Sequence, residues 1–308
     1  MDKETADRKC ALAFALAVGM DVGKDPVAAV EIFREVASEG YPNGQFGLAE
    51  LLIHGEGIEK NEPEAVGLYT LAAEQGHPEA LYRLGTIIAD SDPENAETYL
   101  KESASLGVSA ALSALGNLYF ENDPAKALGW YVLASEAGDP AAAFMAGYMY
   151  EEGIGTEKNM ETATELFGYA AKAGLPEAEL RYAHLVDEGT APGDRKDCFL
   201  WYSLAAEHGM VSAKFNLASM YSEGDGVGKD EHKAFLLTKE AADETQDSTA
   251  LYVVGAMYLE GLGTEKDTEK AMGYLRKAAD GGHEGAAQVL DILRRGQNTQ
   301  FVTIDGTE

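Results

Sequence analysis

Three hydrophobic phrases return along the chain in a fixed order. The first sets two small residues five positions apart with apolar residues between them. It occurs as Ala80 to Gly85 (Ala-Leu-Tyr-Arg-Leu-Gly), Ala111 to Gly116, Ala142 to Gly147, Ala178 to Ala183, Ala213 to Ala218 and Ala250 to Gly255. Wound at 3.6 residues per turn, it predicts a helix with a stripe of small side chains that admits a neighbour closely. The second phrase is a glycine loop: Gly55-Glu-Gly57, Gly153-Ile-Gly155, Gly224-Asp-Gly226 and Gly261-Leu-Gly263. The third is another apolar helix, seen at Leu68-Tyr69, Trp130-Tyr131, Trp201-Tyr202 and Tyr274-Leu275. It ends on a small pair, two further residues and glycine, as in Ala72-Ala-Glu-Gln-Gly76.

The closing glycines are Gly40, Gly76, Gly107, Gly138, Gly174, Gly209 and Gly282, with intervals of 36, 31, 31, 36, 35 and 73 residues. The last interval holds two units, with Ala241-Ala-Asp-Glu-Thr245 in the middle slot, so the phrase occurs eight times. Capping residues agree with this division. Asp25-Pro26, Asp92-Pro93 and Asp123-Pro124 place an N-cap acid before a first-turn proline at the second helix. Tyr41-Pro42, His77-Pro78, Asp139-Pro140 and Leu175-Pro176 open first helices. Each unit therefore reads as helix, glycine loop, helix, tight turn. Two helices cannot bury their apolar faces alone, so the units must stack. In the 31-residue units the glycine loop is missing, and Ile88 to Pro93 and Tyr119 to Pro124 connect the helices directly.

These residues resemble the Sel-one-like repeat (SLR) family, a relative of tetratricopeptide repeats. The copy nearest the family pattern runs from Tyr148 through Glu151-Glu-Gly-Ile-Gly155 to Ala170-Ala-Lys-Ala-Gly174. The likeness covers about residues 10–295. It implies an all-α fold: a right-handed α/α superhelical solenoid of about eight helix-turn-helix repeats. It also implies a scaffold or adaptor that binds a protein or peptide rather than an enzyme. The departures are the missing loops between Leu81 and Gly138, and Thr245 at a turn-glycine position. Repeats are expected to end near 40, 76, 107, 138, 174, 209, 245 and 282, within one array over 1–295. A capping helix is expected over 284–295, where Ala286 to Leu290 opens another first helix and Asp291, Arg294 and Arg295 turn charge outward. Residues 296–308 are polar without a period and read as a flexible tail.

Composition narrows the partners. The chain has 53 acidic and 24 basic side chains in 308 residues, a formal charge of −29. That charge repels nucleic acid and an anionic membrane surface, and it favours a basic protein or peptide. No apolar run reaches the roughly 18 residues of a membrane-spanning helix. The 48 alanines and 34 glycines against 9 prolines suit closely packed short helices. Cys10 and Cys198 form neither a disulfide framework nor a metal site, and the cysteine-rich, exported branch of the SLR family is not matched. The stretch Cys10 to Val18 is apolar like a signal peptide, yet Met1 to Lys9 balances Asp2, Glu4 and Asp7 against Lys3, Arg8 and Lys9. It reads as an ordinary helix of the array. A cytoplasmic location is expected, with a secreted or periplasmic adaptor in envelope function or host contact as the alternative.

No sequence constellation supports chemistry. The Gly-x-Gly loops follow no strand and lack the third glycine of a phosphate cradle. Gly224 to Glu231 lacks the alternating ligands of a calcium loop. The six histidines show no metal-ligand spacing, and no cofactor site is expected. An enzyme with its site in the groove is the less favoured reading. Trp130 and Trp201 occupy matching slots of second helices and are expected to pack between repeats. In helix-pair solenoids the first helices line the concave side. Positions two before and one after the small slot should face away from the packed stripe. These are Ala114 and Asn117, Met145 and Tyr148, Arg181 and His184, and Asn216 and Ser219. Their chemistry varies between copies, while the core slots Leu118, Met149, Leu185 and Met220 do not. Asn117, Met145, Tyr148, Arg181, His184, Asn216 and Ser219 are thus the candidate partner-binding residues.

Overall fold

Most helices begin where an N-cap side chain meets the start of an apolar period. The structure, a computed structural model, describes the backbone of residues 1–302 apart from Asp21, and side chains through Arg295. Among the described residues there are 17 helices and no strand. They run in pairs: α1 (Lys3–Val18) with α2 (Pro26–Ser38), α3 (Pro42–His54) with α4 (Glu62–Ala73), and α5 (Pro78–Ile88) with α6 (Pro93–Ser105). Next come α7 (Ala110–Tyr119) with α8 (Pro124–Glu136), followed in the chain by α9 (Pro140–Glu152) and α10 (Met160–Lys172). The last pairs are α11 (Pro176–Asp187) with α12 (Arg195–Glu207), α13 (Val211–Glu223) with α14 (Glu231–Thr245), and α15 (Ser248–Glu260) with α16 (Thr268–Asp280). The last helix among the described residues is α17 (Glu284–Val302). These helices make a helical repeat solenoid of eight repeats.

The caps fall where the sequence places them. The carboxylates of Asp25, Asp92 and Asp123 accept the backbone N–H groups of Ala28, Asn95 and Lys126 at 3.0, 3.2 and 3.1 Å. Each such cap contributes about 1 kcal/mol to its helix. Thr245 replaces glycine at the end of α14, and the left-handed cap moves one residue on to Gln246, at φ 53°.

The chain divides into two compact units, Met1–Met160 and Glu161–Glu308, each with its own interior. In the first, Ala13, Ala29, Val36, Ala49, Leu52, Tyr69 and Leu81 share one apolar cluster, and Leu100, Ala111 and Leu115 form a smaller one. In the second, Phe235, Leu251, Val254, Leu275, Ala286 and Leu290 cluster together. At three first helices the small slot faces a large side chain of the following second helix. A Cβ added at Gly85 would lie 2.8 Å from Leu100, one at Gly116 2.5 Å from Tyr131, and one at Gly255 2.8 Å from Leu275. Glycine at these slots lets the large side chain fill the space where a Cβ would stand.

Ala286 and Leu290 bury α17 against its neighbour, while Asp291, Arg294 and Arg295 stay exposed and Asp291 pairs with Arg295 at 2.6 Å. This is the expected cap over an open apolar end. The helix continues to Val302, past residue 295 where the sequence pattern ends it. The rest of the tail expected over 296–308, from residue 303 on, lies outside the described residues.

The glycine loops join successive repeats as well as two helices. Gly153 caps α9 in the left-handed region, at φ 72°. Gly155, at φ 71°, presses on the first turn of α8, where an added Cβ would lie 2.5 Å from the Pro124 carbonyl carbon. The same close approach recurs at Gly57, Gly226 and Gly263. Where the loops are missing, side chains take over the tie. Glu97 of α6 accepts from Lys101 at 2.6 Å and from Lys126 of α8 at 2.9 Å. The Lys126 ammonium also lies 3.6 Å from the centre of the Tyr119 ring. Hydrogen bonds from Lys101, Tyr119 and Lys126 pull the Glu97 carboxyl down to about 2.

Two outcomes follow. Gly153→Ala costs the left-handed backbone penalty of about 1–2 kcal/mol and a shift of the Lys158 side chain, whose Cγ would lie 2.9 Å from the added Cβ. Gly155→Ala adds a backbone clash and should lower the thermal midpoint clearly more, as calorimetry of the two variants would show. Because the folded Glu97 pKa is depressed, its contribution is fully present above the unfolded value of 4.5 and is lost as pH falls toward 2. Urea titrations should find wild type more stable than Glu97→Gln at pH 6, with the gap closing between pH 4.5 and 2.

Candidate functional site

The rule that selected the candidate residues rests on helical spacing, and burial separates its two sets. Met149, Leu185 and Met220 are buried, and Leu118 is half-buried against the Leu100 cluster. On the other row, Asn117, Tyr148 and Ser219 are exposed, and Met145, Arg181, His184 and Asn216 are half-buried. Within each unit the first helices thus hold these residues apart from the buried positions.

In the first unit, Asn117 accepts the hydroxyl hydrogen of Tyr131 at 2.6 Å and lines a cavity of about 440 Å³ between α5 and α7. Burial pushes the Tyr131 hydroxyl up to about 12. Met145 and Tyr148 lie one turn apart on α9, and Tyr148 is 40% exposed. In the second unit, His184 Nε2 and Asn216 Nδ2 meet at 3.2 Å across α11 and α13, and the His184 ring stands edge-on to Tyr202. Burial and the nearby Arg181 hold the His184 pKa below its ordinary value. Arg181 faces Glu188 at 3.6 Å, and Ser219 donates to Glu223 at 3.2 Å.

The row carries a ladder of cross-repeat pairs that local sequence reasoning missed. The residue one after the slot in one repeat meets the residue two before the slot in the next. His184 with Asn216 is one case. Glu50 with Arg83 is another: the guanidinium donates to both carboxylate oxygens at 2.9 Å, and the Tyr69 hydroxyl also donates to Glu50 at 2.5 Å. Part of the chemical variation along the row thus serves pairing between repeats.

The same slot rule applied to the first two repeats marks Ala11 and Phe14 in α1, and Gly47 and Glu50 in α3. All four line a cavity of about 620 Å³. Its walls include Phe46, which stacks on the His77 ring at 4.7 Å. Burial holds the His77 pKa below its ordinary value. The signal that could have found this place was Phe14, a large apolar residue at a slot that most other copies fill with polar ones.

Trp130 and Trp201 are half-buried. Trp201 stands edge-on to Tyr182, and the Trp130 indole nitrogen is buried without a hydrogen-bond partner. Cys10 and Cys198 are buried free thiols, and burial together with Asp7 pushes the Cys10 thiol up to about 11. Among the described residues, no group of three or more His, Cys, Asp or Glu side chains could hold a metal ion. No helix among them is long and apolar enough to cross a membrane.

Stacked helix pairs in succession define a helical-repeat protein. The Sel1 repeat family model matches residues 10–41, 42–77, 78–108, 109–139, 140–175, 176–210, 211–245 and 248–283, and the chain belongs to this family. Sel1 repeat proteins generally mediate protein–protein interaction, and the family is typically non-enzymatic. A solved Sel1 repeat protein from Oxalobacter formigenes is 27% identical, with a TM-score of 0.70 over 94% of this chain and 87% of that one. A protective antigen of uropathogenic Escherichia coli with an SLR fold is 21% identical, with a TM-score of 0.55 over 94% and 80%. Among curated proteins, chitin synthase regulatory factor 3 of Schizosaccharomyces pombe is 34% identical over 87 residues, 28% of this chain and 9% of that protein. An uncharacterized protein of Neisseria meningitidis is 27% identical over 224 residues, 71% of this chain and 46% of that one. The chain thus spans less than half the length of both curated relatives.

The Glu50–Arg83 pair is bidentate yet partly exposed, so its net value is small. A double-mutant cycle with Glu50→Gln and Arg83→Gln in urea should give a coupling of about 1 kcal/mol or less, decreasing with added salt.

Proposed function

We propose that this chain is a non-enzymatic scaffold or adaptor that holds a protein or peptide against the first-helix row. In the first unit the contacts fall on Asn117, Met145 and Tyr148. In the second they fall on Arg181, His184, Asn216 and Ser219. The observation that carries the reading is Tyr148. It is a large amphipathic side chain, 40% exposed in the row, on a helix whose Ala142, Ala143, Ala146 and Met149 are buried. Tyrosine at such a place offers contact area at low entropic cost. The net charge of −29 favours a basic partner through faster association. The reading we favour for its location is the cytoplasm, and two buried free thiols support it. A secreted or periplasmic adaptor is the second reading, and the mature N-terminal sequence separates the two.

The test is affinity capture with the tagged chain at low and moderate salt, followed by titration of the identified partner. Tyr148→Ala and Asn216→Ala should each keep the helical circular dichroism spectrum. At least one should weaken binding about tenfold, equivalent to about 1.4 kcal/mol. Full affinity in both variants would remove the row as the site.

A further inference from the structure

The first-helix row is not uniform in bulk. Two before the slot, later repeats carry Arg83, Ala114, Met145, Arg181, Asn216 and Val253, whereas the first two, side by side, both carry small residues, Ala11 and Gly47. The missing side chains leave the cavity of about 620 Å³, within the roughly 300–1,000 Å³ of ligand pockets. Gly47 has a direct structural reason: an added Cβ would collide with the Phe33 ring, which therefore forms the cavity floor.

The cavity combines an apolar floor with a rim of one charge sign. Phe14, Val18, Phe33 and Phe46 supply the floor, and Phe14 and Val18 remain 55% and 51% exposed. Large apolar side chains left this open gain free energy when covered, at roughly 25 cal/mol per Å². Asp7, Glu50, Glu56 and Glu79 stand around the rim, and no lysine or arginine lines the cavity. Arg83 already serves Glu50. Glu56 has Lys24 only at 4.0 Å, and Glu79 has the His77 ring at 3.4 Å. Two of the rim carboxylates therefore keep capacity for an incoming cation.

We infer that this N-terminal cavity binds a peptide segment bearing an aromatic or aliphatic anchor flanked by lysine or arginine, the anchor on the Phe14–Phe33–Phe46 floor and the cations at Glu56 and Glu79. Charge complementarity selects this occupant over a second copy of the chain, whose surface carries the same excess of acid. The inference rests on the scaffold reading and adds the chemistry of the partner and a place for its anchor.

The probe is a set of fluorescein-labelled peptides, Gly-Lys-Lys-X-X-Lys-Lys-Gly with X as Phe, Leu or Trp, titrated by polarisation against the full chain. Matched peptides replace X-X by Ser-Ser or each Lys by Glu. Binding is expected for at least one apolar, lysine-flanked member, about tenfold or more above its Ser-Ser and Glu counterparts. Ala11→Trp, which fills the cavity from an exposed helix position, should abolish that preference. Phe14→Ser should reduce it at least about threefold. The pair Glu56→Gln/Glu79→Gln should weaken binding and flatten its salt dependence, while Glu157→Gln, away from the cavity, should not. Equal affinity for lysine- and glutamate-flanked peptides, or unchanged affinity in Ala11→Trp, overturns the inference. So does a dimer in light scattering that Ala11→Trp dissociates, since a second copy would then be the occupant. A captured partner that needs Tyr148 but ignores Ala11→Trp would overturn this inference and leave the scaffold reading standing.

Discussion

The structure depends on how closely a second helix can approach the small slot of the first. Where the slot is Gly85, Gly116 or Gly255, the side chain of Leu100, Tyr131 or Leu275 occupies the volume a Cβ would need. Each such insertion sets the spacing of one helix pair. That spacing fixes where the loop glycine meets the preceding second helix, as Gly155 meets Pro124. The repeat length and the stacking of pairs are consequences of this one contact. So is the row that faces away from it, because side chains not needed for the insertion are free to differ.

Freedom to differ has been used in two ways. At Glu50 with Arg83, and at His184 with Asn216, neighbouring repeats spend the variable positions on each other. At Ala11 and Gly47 the variable position is small, and an apolar hollow opens under an acidic rim. The excess negative charge thus acts locally. Some of it caps helices, at Asp25, Asp92 and Asp123. Some ties loopless repeats together, at Glu97, and some rings the hollow, at Glu56 and Glu79. Buried charge is paired throughout the parts described: Glu179 with His208, and Lys214 with Glu240 and Glu244.

Helix positions were legible because their signals are local. An N-cap acid before a proline, a small residue every five along an apolar run, and a closing glycine all act within one or two turns. The burial of Met149 and Leu185 and the exposure of Tyr148 and Ser219 followed from the same spacing. The Glu50–Arg83 pair was not legible, because its partners are 33 residues apart and meet only when two repeats stack in register. The cavity was hidden for a related reason. Its walls come from α1, α2, α3 and the start of α5, and α1 alone reads as a plain apolar helix.

By itself, the sequence determined the helix pairs, their caps, the eight-fold repeat and which positions pack, since each rests on spacing within a few turns. Tertiary structure decided how those units use their leftover side chains. It chose which variable residues pair across repeats, which carboxylates keep a cation at hand, and where two missing side chains combine into a hollow. Those outcomes depend on distances between residues far apart in the chain. Such distances exist only after the small slots have set the helices side by side.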